Sequence, residues 1–223
     1  MSEKHLLLYL DAPMQAWGHS SRFNRRTSAS WPTKSGVIGM LCAALGVERD
    51  DERGISQLAA LNVQVYTLKN SGQRLMDYHT VGGGYDIAKE SGQYFGNKNG
   101  ASIAVLTDRE YLLDCKFGVL LSGESAVVEK CAAALENPKW GVWFGRKCCL
   151  PAERICEGVF NSSAEALDHL KALAEEKQLQ TTGWRIIGEA NAFGEGSDSL
   201  MDTPLNFKSR RYQTRRIAES FGE

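Results

Sequence analysis

The stretch KHLLLYLD, Lys4–Asp11, is the clearest fold signal in the sequence. It is a short, nearly continuous apolar run, and the turn-forming pair Ala12-Pro13 follows it. Such a run is typical of a buried β-strand. It is also too short, and leads too soon into Asp11, to be the apolar region of a signal peptide. We therefore predict a first strand here and expect no targeting signal.

The next apolar segment predicts a buried helix. Pro32, with Thr33 and Ser35 as possible N-caps, precedes SGVIGMLCAALG, which closes at Gly46. This segment is apolar nearly all round, as expected of a helix enclosed by other elements.

The segments up to residue 137 predict further strands and helices. We predict a hairpin of 62–69 with 73–81 around Asn70-Ser71-Gly72, and two more strands around a turn near Thr107-Asp108. A helix at 50–60 or a turn there, and an amphipathic helix ending at Asn137-Pro138, complete the series. Together these give β-α-β-β…β-α, an α+β arrangement close to a ferredoxin-like, RNA-recognition-like fold.

The chain beyond residue 138 is predicted as a smaller, β-rich part. It contains a helix at 163–177, a strand at 181–190 and a strand-like segment at 203–218. We therefore predict two domains, 1–137 and 138–223. Within the first, 82–100 carries six glycines and little periodicity, which predicts a long protruding loop.

Charge is segregated along a chain whose formal net charge is only −1. Three windows contain no Asp or Glu: 12–47, 139–152 and 203–218. Together they hold 12 of the 26 basic residues, and each also contains aromatic side chains. Segregated charge of this kind can build a positive face, which is the electrostatic signature of a nucleic-acid-binding protein. Three unrelated solvated loops are the alternative.

The residue types in these windows suit single-stranded RNA. Arg and Lys neutralise phosphates, hydroxyls and backbone N–H groups fix the register, and aromatic rings stack on bases. If 208–214 were one strand, Lys208, Arg210 and Tyr212 would share a face. For Trp143 and Phe144, core packing is favoured over base stacking.

Motifs of other protein classes are missing from the sequence. Gly82-Gly83-Gly84 matches neither a Walker A loop nor GxGxxG. The six cysteines form no CxxC pair and have no zinc-ligand spacing with the four histidines. Cys42 and Cys131 fall in apolar helical patterns, where a thiol acts as a small hydrophobic group. We expect no metal, no cofactor and a reducing, cytoplasmic environment.

One pair of residues keeps a catalytic alternative open. DYHT places Tyr78 and His79 at the end of a predicted strand. A histidine with a nearby Tyr or Lys can cleave RNA without metal by activating the 2′-hydroxyl. A single imidazole without a second positioned acid or base is not a complete site, so we favour recognition or a structural role.

Several separated motifs resemble the CRISPR-associated CasD family. They are APMQAWG, RRTSASWPTKSGVIGMLCAALGVERDD, DYHTV, LTDREYLLD, WGVWFGRKCCLP and DTPLNFKSRRYQTRR, in that order through nearly the whole chain. The resemblance implies a ferredoxin-type domain with a thumb, here about 82–104, and a smaller β-rich part. It also implies the subunit of type I-E Cascade that holds the 5′ handle of the guide RNA.

The resemblance further implies a non-catalytic protein that contacts a repeated backbone subunit and a large subunit, near the target DNA. In the related type I-C branch the corresponding protein cuts RNA. The alternative is therefore a metal-independent nuclease that uses His79 and Tyr78. A module whose basic strips bind acidic proteins is a third hypothesis. The candidate RNA-contacting residues are Arg22, Arg25, Arg26, Ser28, Lys34, Ser35, Gly36, His79, Arg109, Arg146, Lys147, Lys208, Arg210 and Tyr212.

Overall fold

The structure is a computed structural model that describes residues 2–19, 21, 24–81, 105–190 and 192–222. The predicted thumb, 82–104, lies outside the described residues, and so does Arg22.

The described ranges contain four α-helices and thirteen strands. The helices are α1 (Lys34–Leu45), α2 (Glu52–Ala59), α3 (Ser125–Glu136) and α4 (Ser163–Glu176). The strands are β1 (Glu3–Asp11), β2 (Met14–Gln15), β3 (Trp17–Gly18), β4 (Arg25–Arg26), β5 (Ser28–Ala29), β6 (Asn62–Lys69), β7 (Arg74–Val81), β8 (Val105–Leu113), β9 (Lys116–Glu124), β10 (Cys156–Phe160), β11 (Arg185–Glu189), β12 (Asp198–Asn206) and β13 (Arg211–Phe221).

Strand β1 lies inside a seven-stranded sheet of order β10-β1-β9-β6-β11-β13-β12. Because strand side chains alternate, its leucines cover both faces. Leu6, Leu8 and Leu10 belong to the core under α1 and α3, whereas Leu7 and Tyr9 pack on the other face under α4. Burial on both faces explains why KHLLLYLD is continuously apolar rather than alternating.

The predicted helix after β1 is confirmed with both of its caps. Thr33 accepts a hydrogen bond from the Gly36 N–H, and Gly46 ends α1 with φ of +72°. A glycine suits that left-handed conformation because it has no Cβ to clash with the backbone. Val37, Ile38 and Leu41 are fully enclosed, so α1 is a core helix.

Two predicted strand connections are wrong. Strands β6 and β7 do not form a hairpin with each other: β6 pairs with β9 and β11, while β7 pairs with β8. The predicted turn at Thr107-Asp108 lies inside β8, and the chain turns instead at Asp114, whose φ is 48°. The segment 203–218 is likewise the β12–β13 hairpin rather than one strand.

The strands β1, β6, β9 and β10 alternate with helices in the order β-α-β-β-α-β. In space they follow the order β10-β1-β9-β6, and every neighbouring pair is antiparallel. Since β10 comes from the chain after residue 138, the sheet crosses the predicted domain boundary, and the two-domain division stays a prediction. No helix in the described part is both long and apolar enough to cross a membrane.

Candidate nucleic-acid interface

The start of helix α1 is occupied by the protein's own carboxylate. Asp202 on β12 accepts a hydrogen bond from the Lys34 N–H at 2.9 Å, and Thr33 takes the N–H of Gly36. Helix N-termini favour an anion, and here Asp202 supplies it. Ser35 and Gly36 are candidate RNA contacts in the sequence. Because this end of α1 already holds an anion, we omit both residues from the proposed interface.

Lys34 is buried rather than displayed on the surface. Its side chain is 4% exposed, and Nζ lies 2.8 Å from Glu189 Oε1 on β11. Arg215 completes the cluster with a bidentate pair to Asp202, with Nε at 2.7 Å and Nη2 at 3.0 Å. Two cations and two anions neutralise each other in this ionic cluster of Lys34, Glu189, Asp202 and Arg215. Lys34 is consequently omitted as a phosphate ligand.

Most cations of the 203–218 window are paired internally. Lys208 contacts Asp50 at 2.7 Å, and Arg211 contacts Glu52. Strand β13 begins at Arg211, so Lys208 and Arg210 lie in the turn before it. The prediction that these two residues share a strand face with Tyr212 is therefore wrong. Tyr212 packs edge-on against Phe207 at 6.4 Å between ring centroids. This window therefore forms no continuous basic strip.

A second sheet carries Arg25, Arg26 and Arg109. In it β8 pairs with β7 along one edge and with β2 and β4 along the other. The register sets Arg26 beside Arg109, so these two cations are neighbours across β4 and β8. Arg25 is exposed beside Asp108 one position earlier, on the opposite face.

Arg146 fixes the loop after α3 onto this sheet. Its guanidinium donates to the Glu110 and Arg26 carbonyls at 2.8 and 3.0 Å, and it stacks 4.4 Å from the Tyr111 ring centroid. Gly145, at φ of +93°, approaches Ala16 so closely that a Cβ would lie 1.7 Å from the Ala16 oxygen. Arg146 therefore has a structural role in holding this loop against β8.

Glu110 joins three segments on the other face of β8. Its carboxylate accepts the Ser28 N–H at 2.9 Å and pairs with Arg74 at 2.9 Å. Burial raises the pKa of Glu110, but the Ser28 N–H and the Arg74 guanidinium outweigh burial and hold that pKa below its ordinary value. Ser28 is itself buried, and its hydroxyl accepts the Trp17 N–H. We omit Ser28 from the interface for this reason.

The face of β7 and β8 opposite Glu110 forms a groove with the 146–148 loop. We call it the basic groove; its volume is about 400 Å³, and its described lining is Met14, Leu75, Asp77, His79, Arg109, Tyr111, Arg146, Lys147 and Cys148. Four predicted residues thus meet here: His79, Arg109, Arg146 and Lys147. None of these described lining residues comes from 203–218.

Tyr78 and His79 lie on opposite faces of β7. His79 lines the basic groove, with Nδ1 3.5 Å from Asp77 Oδ2, whereas Tyr78 is 66% exposed and lies outside the lining. Alternation along the strand imposes this separation. The groove has its own phenol in Tyr111, but burial raises the pKa of Tyr111, which makes it a weaker acid than an exposed tyrosine. Tyr78 and His79 therefore do not form the acid–base pair considered for cleavage.

Sequence reasoning missed five lining residues: Met14, Leu75, Asp77, Tyr111 and Cys148. Asp77 was visible within the DYHT motif, but the other four come from separated segments and give no local signal. The expected roles of Cys42 and Phe144 as core residues are confirmed, and burial raises the pKa of the Cys42 thiol to about 12. No group of three metal-ligating side chains occurs among the described residues.

The described fold and groove define a mixed α and β protein with a large antiparallel sheet and a groove lined by cationic and apolar side chains. Residues 5–218 match the model of the family described as CRISPR-associated protein (Cas_Cas5), and the chain belongs to this family. It is 30% identical to the CRISPR system Cascade subunit CasD of Escherichia coli (strain K12), over 93% of this chain and 94% of that protein. The resemblance to the CasD family is thereby confirmed.

Two solved structures are similar along nearly the whole chain. One, described as a CRISPR RNA-guided surveillance complex, contains a chain with a TM-score of 0.75 and 29% identity, over 98% of this chain and 90% of that one. The other, described as the crystal structure of a Cas protein, has a TM-score of 0.65 and 28% identity, over 97% and 94%.

The ionic cluster makes a prediction about stability. Arg215→Ala would leave the buried Asp202 without its bidentate partner, and we expect the free energy of unfolding to fall by roughly 3–5 kcal/mol. Urea denaturation followed by circular dichroism measures the change. Lys208→Ala is the matched control, because it removes one positive charge of the same hairpin from an exposed pair, and it should leave the unfolding midpoint nearly unchanged. Equal effects of the two substitutions would contradict this assignment.

Proposed function

We propose that the protein is the RNA-binding subunit of a type I-E CRISPR Cascade complex. In this role it holds the 5′ handle of the guide RNA and caps that end of the assembly, in the cytoplasm, in defence against foreign DNA. The basic groove is the observation that carries the proposal, because it gathers cations from several chain segments on one surface. Family membership and the similarity to the E. coli Cascade subunit support it.

The groove suits a single RNA strand in its chemistry. Arg109 and Lys147 offer positive charge to phosphates, and Arg26 extends that charge along β4. Leu75 and Met14 provide apolar surface against which an unstacked base can pack, whereas the Tyr111 ring is covered by the Arg146 guanidinium. Arg25 lies on the opposite face of this sheet, beside Asp108, so we omit it from the groove. Arg22 lies outside the described residues and stays a predicted RNA contact.

The fold supports the same assignment. We infer that the β-α-β-β-α-β unit, with its order β10-β1-β9-β6, is a ferredoxin-like, RNA-recognition-like domain. The segment 82–104 would be its thumb, since it connects β7 to β8 at the end of the groove strands. We propose the repeated backbone subunit and the large subunit of Cascade as the protein partners, with target DNA nearby.

We further propose that the protein is not a nuclease. His79 faces the groove, but Tyr78 lies on the other side of β7, and the raised pKa of Tyr111 makes that phenol a poor proton donor to a leaving oxygen. The metal-independent nuclease using His79 remains the second candidate, because an imidazole lies directly in the proposed RNA path.

The salt dependence of RNA binding tests the assignment of the cations. Replacing Arg26, Arg109 and Lys147 together by Ala should weaken binding to a single-stranded repeat RNA. Each lost phosphate contact should lower the slope of log K against log salt by about 0.7, so the triple variant should lose about 2. Fluorescence anisotropy across a salt series measures the slope.

A second triple variant is the matched control for that experiment. Arg49, Arg53 and Lys130 are also exposed cations, but they lie around α2 and α3, away from the groove. Their replacement by Ala removes the same charge and should leave the slope unchanged. If both triple variants lowered the slope equally, binding would be nonspecific and the groove would not be the site.

Cleavage can be tested separately from binding. Incubating the purified protein with repeat RNA in EDTA should leave the RNA intact, because Tyr78 and His79 do not face the same side of β7. Site-specific fragments that disappear in His79→Ala would refute the non-catalytic assignment and favour the nuclease. Gel analysis of end-labelled RNA distinguishes these results, with heat-denatured protein as the control for contaminating nucleases.

A further inference from the structure

Asp77 is the one carboxylate among the described residues that line the basic groove. Its side chain is 40% exposed, and its Oδ2 lies 3.5 Å from His79 Nδ1. Arg109 stands opposite it in the register of β7 and β8, yet the guanidinium Nε donates to the Thr107 hydroxyl instead. Asp77 therefore presents acceptor oxygens to the open groove.

A carboxylate in this position cannot contact phosphate, because the two anions repel each other. It must then meet the part of a nucleotide that donates hydrogen bonds. Unstacked bases of single-stranded RNA donate from their Watson–Crick edges, and proteins read them there. Met14 and Leu75 line the same groove and can cover the flat face of such a base.

We propose that the basic groove holds one unstacked guanine, whose N1–H and N2–H donate to the two carboxylate oxygens of Asp77. An ionised carboxylate accepts two parallel hydrogen bonds, and guanine presents two adjacent donors on that edge. Adenine and cytosine present one exocyclic amino group there, and uracil presents one N3–H. This inference rests on the proposed function: Arg109 and Lys147 hold the phosphates, and Asp77 selects the base.

Three fluorescein-labelled RNAs test the base preference of the full-length protein. They are a uridine octamer and the same octamer carrying one central guanosine or one central inosine. We expect the guanosine octamer to bind about ten-fold more tightly than the uridine octamer, as a good bidentate pair discriminates between bases. Inosine lacks the N2 amino group and should fall between them.

Asp77→Asn should bring the guanosine and uridine octamers to nearly equal affinity while leaving the salt slope unchanged, since no phosphate contact is lost. Asp108→Asn is the matched control: it makes the same charge change on the other face of the same strand pair, and it should keep the preference. A guanine preference that is absent in the wild type, or that survives in Asp77→Asn, overturns the inference. A failure of the proposed function gives a different result: none of the octamers would bind with a salt dependence. In that case the inference would be wrong as well.

Discussion

The bidentate ion pair between Arg215 and Asp202 connects distant parts of the fold. It fixes the β12–β13 hairpin, and the same carboxylate accepts the first N–H of α1, 168 positions away in sequence. Glu189 and Lys34 extend the cluster to β11, and Glu189 also accepts the Val63 N–H of β6. Because these charges are largely buried, each depends on the others for its neutralisation.

This internal pairing decides where positive charge remains on the surface. Lys34 and Arg215 form buried ion pairs, and Lys208 and Arg211 are paired with acids of the α2 region. Arg26, Arg109 and Lys147 instead gather along β4, β8 and the loop that Arg146 clamps to them. The proposed RNA surface is therefore a product of the tertiary structure, and a count of cations along the chain does not locate it.

The elements that could be predicted from sequence are those with local causes. Strand β1 and helix α1 follow from a continuous apolar run and from the caps at Thr33 and Gly46. The predicted β6–β7 hairpin is wrong because Asn70-Ser71-Gly72 resembles a hairpin turn, whereas the pairing of β6 is decided by burial between β9 and β11. The true turn at Asp114 carries no glycine signal.

Several residues of the candidate site could be predicted from the sequence, but their assembly into one groove could not. His79, Arg109, Arg146 and Lys147 were identified from charge and motif, yet only long-range pairing brings them together. Lys34 was assigned to the surface because its acidic partners, Glu189 and Asp202, lie far along the chain.

The central claim is that RNA binds in the basic groove. Photo-crosslinking of RNA containing 4-thiouridine, mapped by mass spectrometry, tests this claim most directly. Adducts should fall within 75–79, 109–111 and 146–148; adducts confined to a different cavity, of about 410 Å³ between α1, α2 and α3, would contradict it.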